Sequence, residues 1–276
     1  MCWRIFCAAI ACRGRLCLAK AARGRHLLPR GGGAMVPPSR LALAMGKAQR
    51  EATRRAEAGG GRLVMFDMDR TLVRRDTASL YVQYQRDRGD VGWLKALRVG
   101  WWMLQYSAGV IDAERVAEKA LRDFAGRRES WLEESCRQWF ADYVRVHICQ
   151  AGRDAVERHR RQGDSAMIVT GASRYAAQPL ADELGIKHVV CTRLEVDAGG
   201  CFTGRVIKPM CYASGKVELA EAAAKALDLT VAHATFYSDS ITDLPLLQQV
   251  AQPVVINPDV RLRRYAKRHG WPIERW

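Results

Sequence analysis

Short apolar runs that end abruptly in polar side chains recur along this chain, and helical patterns separate them. The apolar runs lie in GRLVMF, DSAMIVTGAS and HATFYSDSITD, and a further one is VVIN at Val254–Asn257. The helical patterns cover Gly152–Arg161, Tyr175–Leu184 and Lys216–Leu227. Runs of this length are typical of buried strands, and strands that alternate with helices form parallel sheets covered on both faces. The pattern therefore predicts an α/β fold with a three-layer, Rossmann-like core around a parallel sheet.

The polar residues that end these runs are expected to share one edge of the sheet. In parallel α/β sheets, ligands bind outside the carboxyl ends of the strands. We therefore expect a binding site formed by residues from several runs. The residues concerned are Asp67, Asp69, Thr170, Gly171, Asp239 and Asp243.

The interval from Thr77 to Ile148 breaks the alternation, because it contains helical patterns and no strand pattern. Its four patterns are ASLYVQYQRD, GWLKALRVGWWMLQYSAG, DAERVAEKALRDFAG and ESWLEESCRQWFADYVRV. We interpret residues 77–148 as an all-helical cap inserted into a core of residues 61–76 and 149–276. A cap that directly follows a site-bearing loop is positioned to cover that site. Further along, TRLEVDAGGCFTGRVIK predicts a hairpin with its turn at Asp197–Gly200.

The positive charge of the chain is concentrated at its start. The formal net charge is +15, but ten of the 44 Lys and Arg residues and none of the Asp and Glu residues lie in residues 1–50. We interpret residues 1–60 as a basic tail outside the fold: a transit-type or weak secretory segment, or residues upstream of a true start at Met35 or Met45. The body is only mildly basic, so we expect no nucleic-acid partner.

The cysteines indicate a reducing compartment, and the hydropathy indicates a soluble protein. Four of the nine cysteines lie in the basic tail at a spacing of five, which matches neither zinc patterns nor a redox pair, and the other five are scattered singly. Scattered cysteines in a chain of this size are typical of reduced thiols. No apolar run reaches the ~18 residues that a membrane span needs. We expect a soluble, cytoplasmic protein.

The first strand end has the composition of a metal and phosphate site. Asp67 and Asp69 flank Met68, and two buried carboxylates without a cation would lose hydration at a cost of several kcal/mol per ion. Mg²⁺ typically binds through one or two carboxylates and substrate phosphate. One carboxylate can then attack phosphorus, and the second can act as general acid and base. The alternative is a solvated acidic turn.

Three later segments each contribute a weak signal of the same chemistry. Thr170 and the following backbone N–H groups of Gly171 and Ala172 are donors of the kind that hold phosphate oxygens, although Thr170 alone could be a helix N-cap. Lys216 begins a helix, where a cation needs an anionic neighbour, although it could be a surface lysine. Asp239 and Asp243 could form another acidic turn. Together, in this order on alternating strands, the four segments favour one site.

These segments resemble the four motifs of the haloacid dehalogenase superfamily. The motifs are Asp67-x-Asp69-x-Thr71, Thr170-Gly171, Lys216 and Asp239-x-x-x-Asp243, over roughly residues 61–257. The helical insertion resembles the cap of the phosphoserine-phosphatase-like branch, subfamily IB. The second aspartate of the first motif, which is Asp69 here, is typical of the phosphatases and phosphomutases of the superfamily. The dehalogenases of the superfamily lack it. The resemblance therefore implies phosphoryl chemistry.

The resemblance also implies a role for each residue. Asp67 would be the nucleophile and a Mg²⁺ ligand, and Asp69 the acid/base, with its backbone carbonyl on the metal. Thr170 and Gly171 would hold the phosphoryl group, and Lys216 would neutralise it together with the nucleophile. Two acidic residues complete the set, Asp239 as a further metal ligand and Asp243 as a support for Lys216 or metal-bound water.

The sequence departs from the phosphoserine branch in the last motif, which usually has a glycine and an asparagine. Here it reads Asp239-Ser240-Ile241-Thr242-Asp243, in which Thr242 can donate one hydrogen bond to substrate. Asp76 resembles the residue that binds the substrate amino group, and it could equally cap the first cap helix. Arg127 and Arg128 are candidates for binding a substrate carboxylate. The stretch as a whole is also similar to relatives assigned to histidinol phosphate.

An apolar stripe in WLKALRVGWWMLQY is the remaining clue to substrate. Trp93, Leu94, Leu97, Trp101 and Leu104 recur at helical spacing. Such a stripe is typical of core packing; the alternative is a surface that meets a lipid-like phosphomonoester or a membrane.

Three hypotheses follow for function. The leading one is a Mg²⁺-dependent phosphomonoester hydrolase that acts through an aspartyl-phosphate on a small metabolite. A phosphotransferase or phosphomutase would use the same residues. A non-enzymatic scaffold tethered by the basic tail is the third. The motifs do not indicate an oligomeric state.

Overall fold

The computed structural model describes residues 61–89 and 121–276. The predicted basic tail, and the helical patterns and the aromatic stripe between residues 90 and 120, lie outside the described residues.

Seven strands of the described residues form one sheet. Its spatial order is β4-β3-β2-β1-β5-β6-β7, and every neighbouring pair is parallel except β3 and β4. The prediction of an α/β, Rossmann-like core around a parallel sheet is confirmed. The strands are β1 Leu63–Phe66, β2 Ser165–Ser173, β3 His188–Val196, β4 Phe202–Ile207, β5 Thr235–Ser238, β6 Gln252–Ile256 and β7 Ile273–Glu274.

Seven α-helices connect or flank these strands in the described ranges. Five of them, α1 to α5, coincide at least in part with the helical patterns of the sequence. The helices are α1 Thr77–Asp87, α2 Glu129–Trp139, α3 Gln150–Arg161, α4 Arg174–Leu184, α5 Ser214–Lys225, α6 Leu244–Leu247 and α7 Val260–His269.

Sequence patterns did not predict α7 and β7. Helix α7 buries only Leu262 and Ala266, so its apolar periodicity is too sparse to stand out among its basic residues. Strand β7 is two residues long and both residues are exposed. Its pairing with β6 is therefore a product of the tertiary fold.

The two faces of the sheet pack against different helices. Along β1, Val64 and Phe66 belong to the cluster that includes the buried residues of α1–α4. Leu63 and Met65 belong to the opposite cluster, with those of α5–α7. Successive side chains of a strand point to opposite faces, so a strand covered on both sides is apolar at every position. This burial explains why GRLVMF reads as a continuous apolar run.

The hairpin expected from the sequence is present as β3 and β4. Asp197 closes the turn: its backbone N–H donates to the carbonyl of Cys201, and its Oδ1 accepts from Gly199 and Cys201. Gly200 adopts φ 74°, a conformation that glycine tolerates best.

The second half of the predicted cap segment is bound to this hairpin. The N–H groups of Gly126 and Glu129 donate to the carbonyls of Phe202 and Gly200, and Phe202 N–H donates to Arg127. Helix α2 also packs against α4, where Tyr175 Oη donates to Glu129 Oε1 at 2.7 Å. The division into a core of residues 61–76 and 149–276 and a cap of residues 77–148 stays a prediction.

In the part of the chain that the structure describes, no helix combines the length and the apolar character that crossing a membrane requires.

We predict that Phe66→Ala lowers the free energy of unfolding by about 3–5 kcal/mol. Phe66 is fully buried and stacks on Tyr237 with ring centroids 4.8 Å apart, so truncation leaves a cavity beneath the strand that precedes Asp67. Urea unfolding measures the loss. Val146→Ala is the control, because Val146 is 73% exposed and its change should stay within about 0.5 kcal/mol. A Phe66→Ala loss below about 1 kcal/mol would contradict this account of the core.

Candidate active site

Asp67 and Asp239 follow two neighbouring parallel strands, β1 and β5. The backbone N–H of Asp67 donates to the carbonyl of Tyr237 at 2.9 Å and so continues the ladder between these strands. Strand β1 has β2 on one side and β5 on the other, so the direction of the chain connections reverses here. Such a switch point opens a crevice beyond the carboxyl ends of the strands. Both aspartates lie at this crevice.

Lys216 links the two acidic strand ends. Its ammonium Nζ donates to Asp67 Oδ1 at 2.9 Å and to Asp243 Oδ2 at 2.7 Å. All three side chains have no exposed surface. Ser238 Oγ donates to the same Asp243 oxygen at 2.7 Å. Burial excludes the alternatives of a surface lysine and a solvated acidic turn.

The charge of Lys216 is stabilised by its partners against two opposing effects. It lies near the amino end of α5, where the helix dipole disfavours a cation. Burial also lowers the pKa of Lys216, but the carboxylates of Asp243 and Asp67 outweigh burial and raise that pKa above its usual value. Lys216 is therefore protonated, and its single positive charge offsets one of the two negative charges of the carboxylates that it touches.

Asp69 joins the loop after β1 to the first helix of the predicted cap. Its Oδ1 accepts the backbone N–H of Thr77, the first residue of α1, at 2.6 Å. Asp76 is the N-cap of the same helix, because its Oδ1 accepts from Ser79 N–H at 2.9 Å. Asp69 is fully buried. The alternative that Asp76 caps a helix is thus present in the structure, and its predicted contact with a substrate amine stays a prediction.

Thr170 and Gly171 lie in an irregular part of β2. The pairing with β3 shifts between Val169 and Ser173, which leaves residues 170–172 outside the regular ladder. Thr170 Oγ1 accepts the N–H of Ala172 at 3.2 Å. The hydroxyl of Thr170 therefore keeps its own proton for another acceptor. Ser173, not Thr170, is the N-cap of α4.

The predicted carboxylate-binding arginines, Arg127 and Arg128, line a cavity beside α1 and α2. Arg127 stacks over Trp131 at 4.5 Å, and it lines a cavity of about 600 Å³ together with Arg88 and Arg128. None of the described lining residues of this cavity is a predicted catalytic or phosphate-binding residue. Thr242 lies in the turn after β5, where its Oγ1 is 2.9 Å from Ser240 Oγ.

The donor set fits a magnesium ion that relies on water and substrate for part of its shell. No three His, Cys, Asp or Glu side chains converge into a metal cage within residues 61–89 and 121–276. Mg²⁺ needs no such cage, since one or two carboxylates with substrate phosphate are enough. Asp67 and Asp239 supply hard carboxylate oxygens from adjacent strand ends. The predicted third ligand, the Asp69 carbonyl, adds no further side chain.

Sequence patterns missed several residues that shape the site. Ser238 bonds to Asp243, and Asp259 Oδ2 accepts the N–H of Ile241 at 2.7 Å. Thr192 bonds to Gly171, and Gly215 allows close packing before Lys216. Only Asp259 carried a local signal, as an aspartate that precedes a helix.

Comparison with known proteins identifies a matching family and several relatives of this chain. The family model of the haloacid dehalogenase-like hydrolases matches residues 64–248. A histidinol-phosphatase of Neisseria meningitidis is 30% identical over 218 residues, which cover 76% of this chain and 97% of that protein. A phosphoserine phosphatase of Mycobacterium tuberculosis is 28% identical over 214 residues, covering 75% of this chain and 68% of that protein.

A solved structure shares both fold and sequence with this chain. It is a protein of unknown function from Bordetella pertussis, with a TM-score of 0.71 and 28% identity. The match covers 77% of this chain and 98% of the other.

We predict that Gly215→Ala lowers the free energy of unfolding by about 1–3 kcal/mol. A Cβ atom at Gly215 would lie 2.2 Å from the carbonyl oxygen of Met210, so the loop before α5 must move. Thermal unfolding measures the loss. Ser214→Ala is the matched control, because Ser214 is the exposed neighbour on the same helical turn. Equal stability of the two variants would show that the close contact does not constrain the start of α5.

Proposed function

This chain belongs to the haloacid dehalogenase-like hydrolases and is a phosphatase, and we propose that it hydrolyses phosphomonoesters through an aspartyl-phosphate on Asp67 with Mg²⁺. The observation that carries this proposal is the buried contact of Lys216 with Asp67 and Asp243. A carboxylate held beside a permanent ammonium at a strand end is oriented to receive a phosphate dianion. The helix that carries Lys216, α5, and the two strand ends support this arrangement.

Asp67 performs the first displacement. One of its carboxylate oxygens attacks phosphorus, and the bond between phosphorus and the ester oxygen breaks. Asp69 donates a proton to the leaving alkoxide. Thr170 Oγ and the N–H of Gly171 donate hydrogen bonds to the phosphoryl oxygens, and Lys216 offsets the negative charge that accumulates beside Asp67.

Water completes the reaction in the second displacement. Asp69, now a carboxylate, takes a proton from water, whose oxygen attacks the phosphorus of the aspartyl-phosphate. The bond from phosphorus to Asp67 breaks, and inorganic phosphate leaves. Asp69 Oδ1 accepts a hydrogen bond from the N–H of Thr77 at the start of α1. The acid/base therefore lies at the junction between the predicted core and the predicted cap.

Mg²⁺ is the cofactor that the donor set supports. Asp67, Asp239 and the Asp69 carbonyl would hold it, and when bound it supplies charge neutralisation for the phosphoryl group. Asp239 has a fixed backbone, because its carbonyl accepts the N–H of Asp259 at 2.9 Å. Asp243 Oδ2 accepts hydrogen bonds from Lys216 and Ser238, which supports the assignment of Asp243 as a positioning residue.

We propose a small phosphorylated metabolite as the substrate, and histidinol phosphate in preference to phosphoserine. The relative named histidinol-phosphatase matches over nearly its whole length. Phosphoserine carries a carboxylate and histidinol phosphate does not. The arginines expected to bind a carboxylate, Arg127 and Arg128, line a cavity whose described lining includes no predicted catalytic residue, which supports a substrate without that group. Asp76 and Thr242 are proposed contacts to the amine and to the rest of the substrate.

We place the reaction in the cytoplasm. The five cysteines of the described residues are all free thiols, as expected in a reducing compartment.

We predict that Asp67→Asn lowers phosphatase turnover by about 10⁴-fold or more, because an amide is a poor nucleophile. Release of phosphate from p-nitrophenyl phosphate measures turnover, and circular dichroism checks the fold. Chelation of divalent metal should stop turnover, and added Mg²⁺ should restore it. Asp142→Asn is the control, since Asp142 is exposed in the short π-helix Phe140–Val144 that follows α2. Activity that survives both Asp67→Asn and chelation would refute the proposed function.

We predict that kcat/KM for histidinol phosphate exceeds that for phosphoserine by about tenfold or more, because only phosphoserine brings a carboxylate that must be desolvated. Assays of both esters under the same Mg²⁺ concentration measure the ratio. A ratio in favour of phosphoserine would reject the substrate assignment and leave the phosphatase assignment intact. Transfer of phosphate to an added alcohol, in place of release, would indicate a phosphotransferase.

A further inference from the structure

The irregular part of β2 creates backbone groups that need partners. Val169 pairs with Val190 and Ser173 pairs with Thr192, so residues 170–172 lie opposite the single residue Cys191. An extra stretch of this kind cannot be fully hydrogen-bonded to the neighbouring strand. Buried carbonyls and N–H groups are nevertheless paired in stable proteins. A side chain of β3 must therefore supply the hydrogen-bond partner that the strand pairing does not.

Thr192 supplies this partner. Its Oγ1 donates to the carbonyl oxygen of Gly171 at 3.0 Å and accepts the N–H of Cys211 at 3.2 Å. The side chain has no exposed surface. Cys211 lies in the segment that leads into α5, the helix that carries Lys216. One hydroxyl thus joins the loop of Thr170 and Gly171 to the segment before Lys216.

The contact at Gly171 also fixes the orientation of Thr170. In a trans peptide, the carbonyl of Gly171 and the N–H of Ala172 point in opposite directions. Because Thr192 holds that carbonyl on one side, the N–H of Ala172 points to the other, where it donates to Thr170 Oγ1 at 3.2 Å. A hydroxyl that accepts this bond directs its own proton elsewhere.

We propose that Thr192 is a positioning residue for the phosphoryl group, acting through the Gly171–Ala172 peptide on the hydroxyl of Thr170. The chain of hydrogen bonds runs from Cys211 N–H through Thr192, the peptide and Thr170 to a phosphoryl oxygen. Each bond polarises the next, which strengthens the final donor. This inference rests on the proposed function, since it needs Thr170 to bind the transferring group.

A purely structural role for Thr192 would be to satisfy two buried backbone groups. That role predicts a loss of stability that is independent of Thr170. The positioning role predicts that the catalytic effect of Thr192 disappears once the Thr170 hydroxyl is gone. A double-mutant cycle separates the two.

The experiment measures kcat and KM for p-nitrophenyl phosphate in the full-length chain with Mg²⁺. Thr192→Val, which removes the hydroxyl at nearly constant volume, should lower kcat by about tenfold or more, with KM within about threefold, because the donor is misdirected in the transition state. Thr192→Ser, which keeps the hydroxyl, should stay within about threefold of the wild type. In a Thr170→Val background, adding Thr192→Val should change kcat by less than about twofold.

Thr235→Val is the matched control. Thr235 is a similarly buried threonine at the amino end of β5, and its hydroxyl bonds to Gln252 at the amino end of β6. Both residues lie at the opposite end of these strands from the site. The kcat of Thr235→Val should remain within about twofold of the wild type, because the Thr235 hydroxyl touches no group of the chain of hydrogen bonds.

The outcomes separate this proposal from the proposed function. If Asp67→Asn abolishes turnover while Thr192→Val keeps the wild-type kcat, or if the losses at Thr192 and Thr170 are additive, the positioning role is wrong and the phosphatase mechanism stands. If Asp67→Asn has no effect, the proposed function itself fails. Should Thr192→Val not fold, Thr192→Cys takes its place in the same cycle, because a thiol of similar size is a weak donor.

Discussion

The buried ammonium of Lys216 between Asp67 and Asp243 is the interaction on which the site depends. It joins the end of β1, the start of α5 and the turn after β5, which are far apart in the sequence. Removing one partner from such a group would leave an uncompensated buried charge, which costs about 3–5 kcal/mol. In the proposed mechanism, the same charge that stabilises the folded site also compensates the nucleophile and its phosphate. Structural and chemical requirements therefore coincide at one side chain.

The sheet makes this convergence possible because it is covered on both faces and reverses its order at β1. Residues of β1 alternate between the cluster of α1–α4 and that of α5–α7, so the strand end that carries Asp67 is held from both sides. The reversal places Asp239 on the neighbouring strand. Side-chain contacts then attach the surrounding segments: Asp69 to α1, Thr192 to Gly171 and Ser238 to Asp243. The chemistry is thus supported by rigid strands and not by loops alone.

Local pattern predicted the elements of the fold well where burial imposes a period. Apolar runs marked β1, β2, β5 and β6, and helical periodicity marked α1–α5. It failed where an element buries few residues, as in α7 and β7. It also left the alternatives for Thr170, Lys216 and Asp76 open, because burial and hydrogen-bond partners have no local signature. The tertiary structure shows that Lys216 is buried and that Asp76 caps α1.

The sequence by itself determined the class of fold, the order of the motifs and the residue types available for phosphoryl chemistry, since these depend on periodicity and composition along the chain. Only the tertiary structure decided which of those residues touch. Ser238, Thr192 and Gly215 gain their importance from partners at the carboxyl edge of the sheet, and Arg127 lines a cavity with Arg88 and Arg128. The physical reason is that hydrogen bonds and close contacts act over a few ångströms in space, whatever the separation along the sequence.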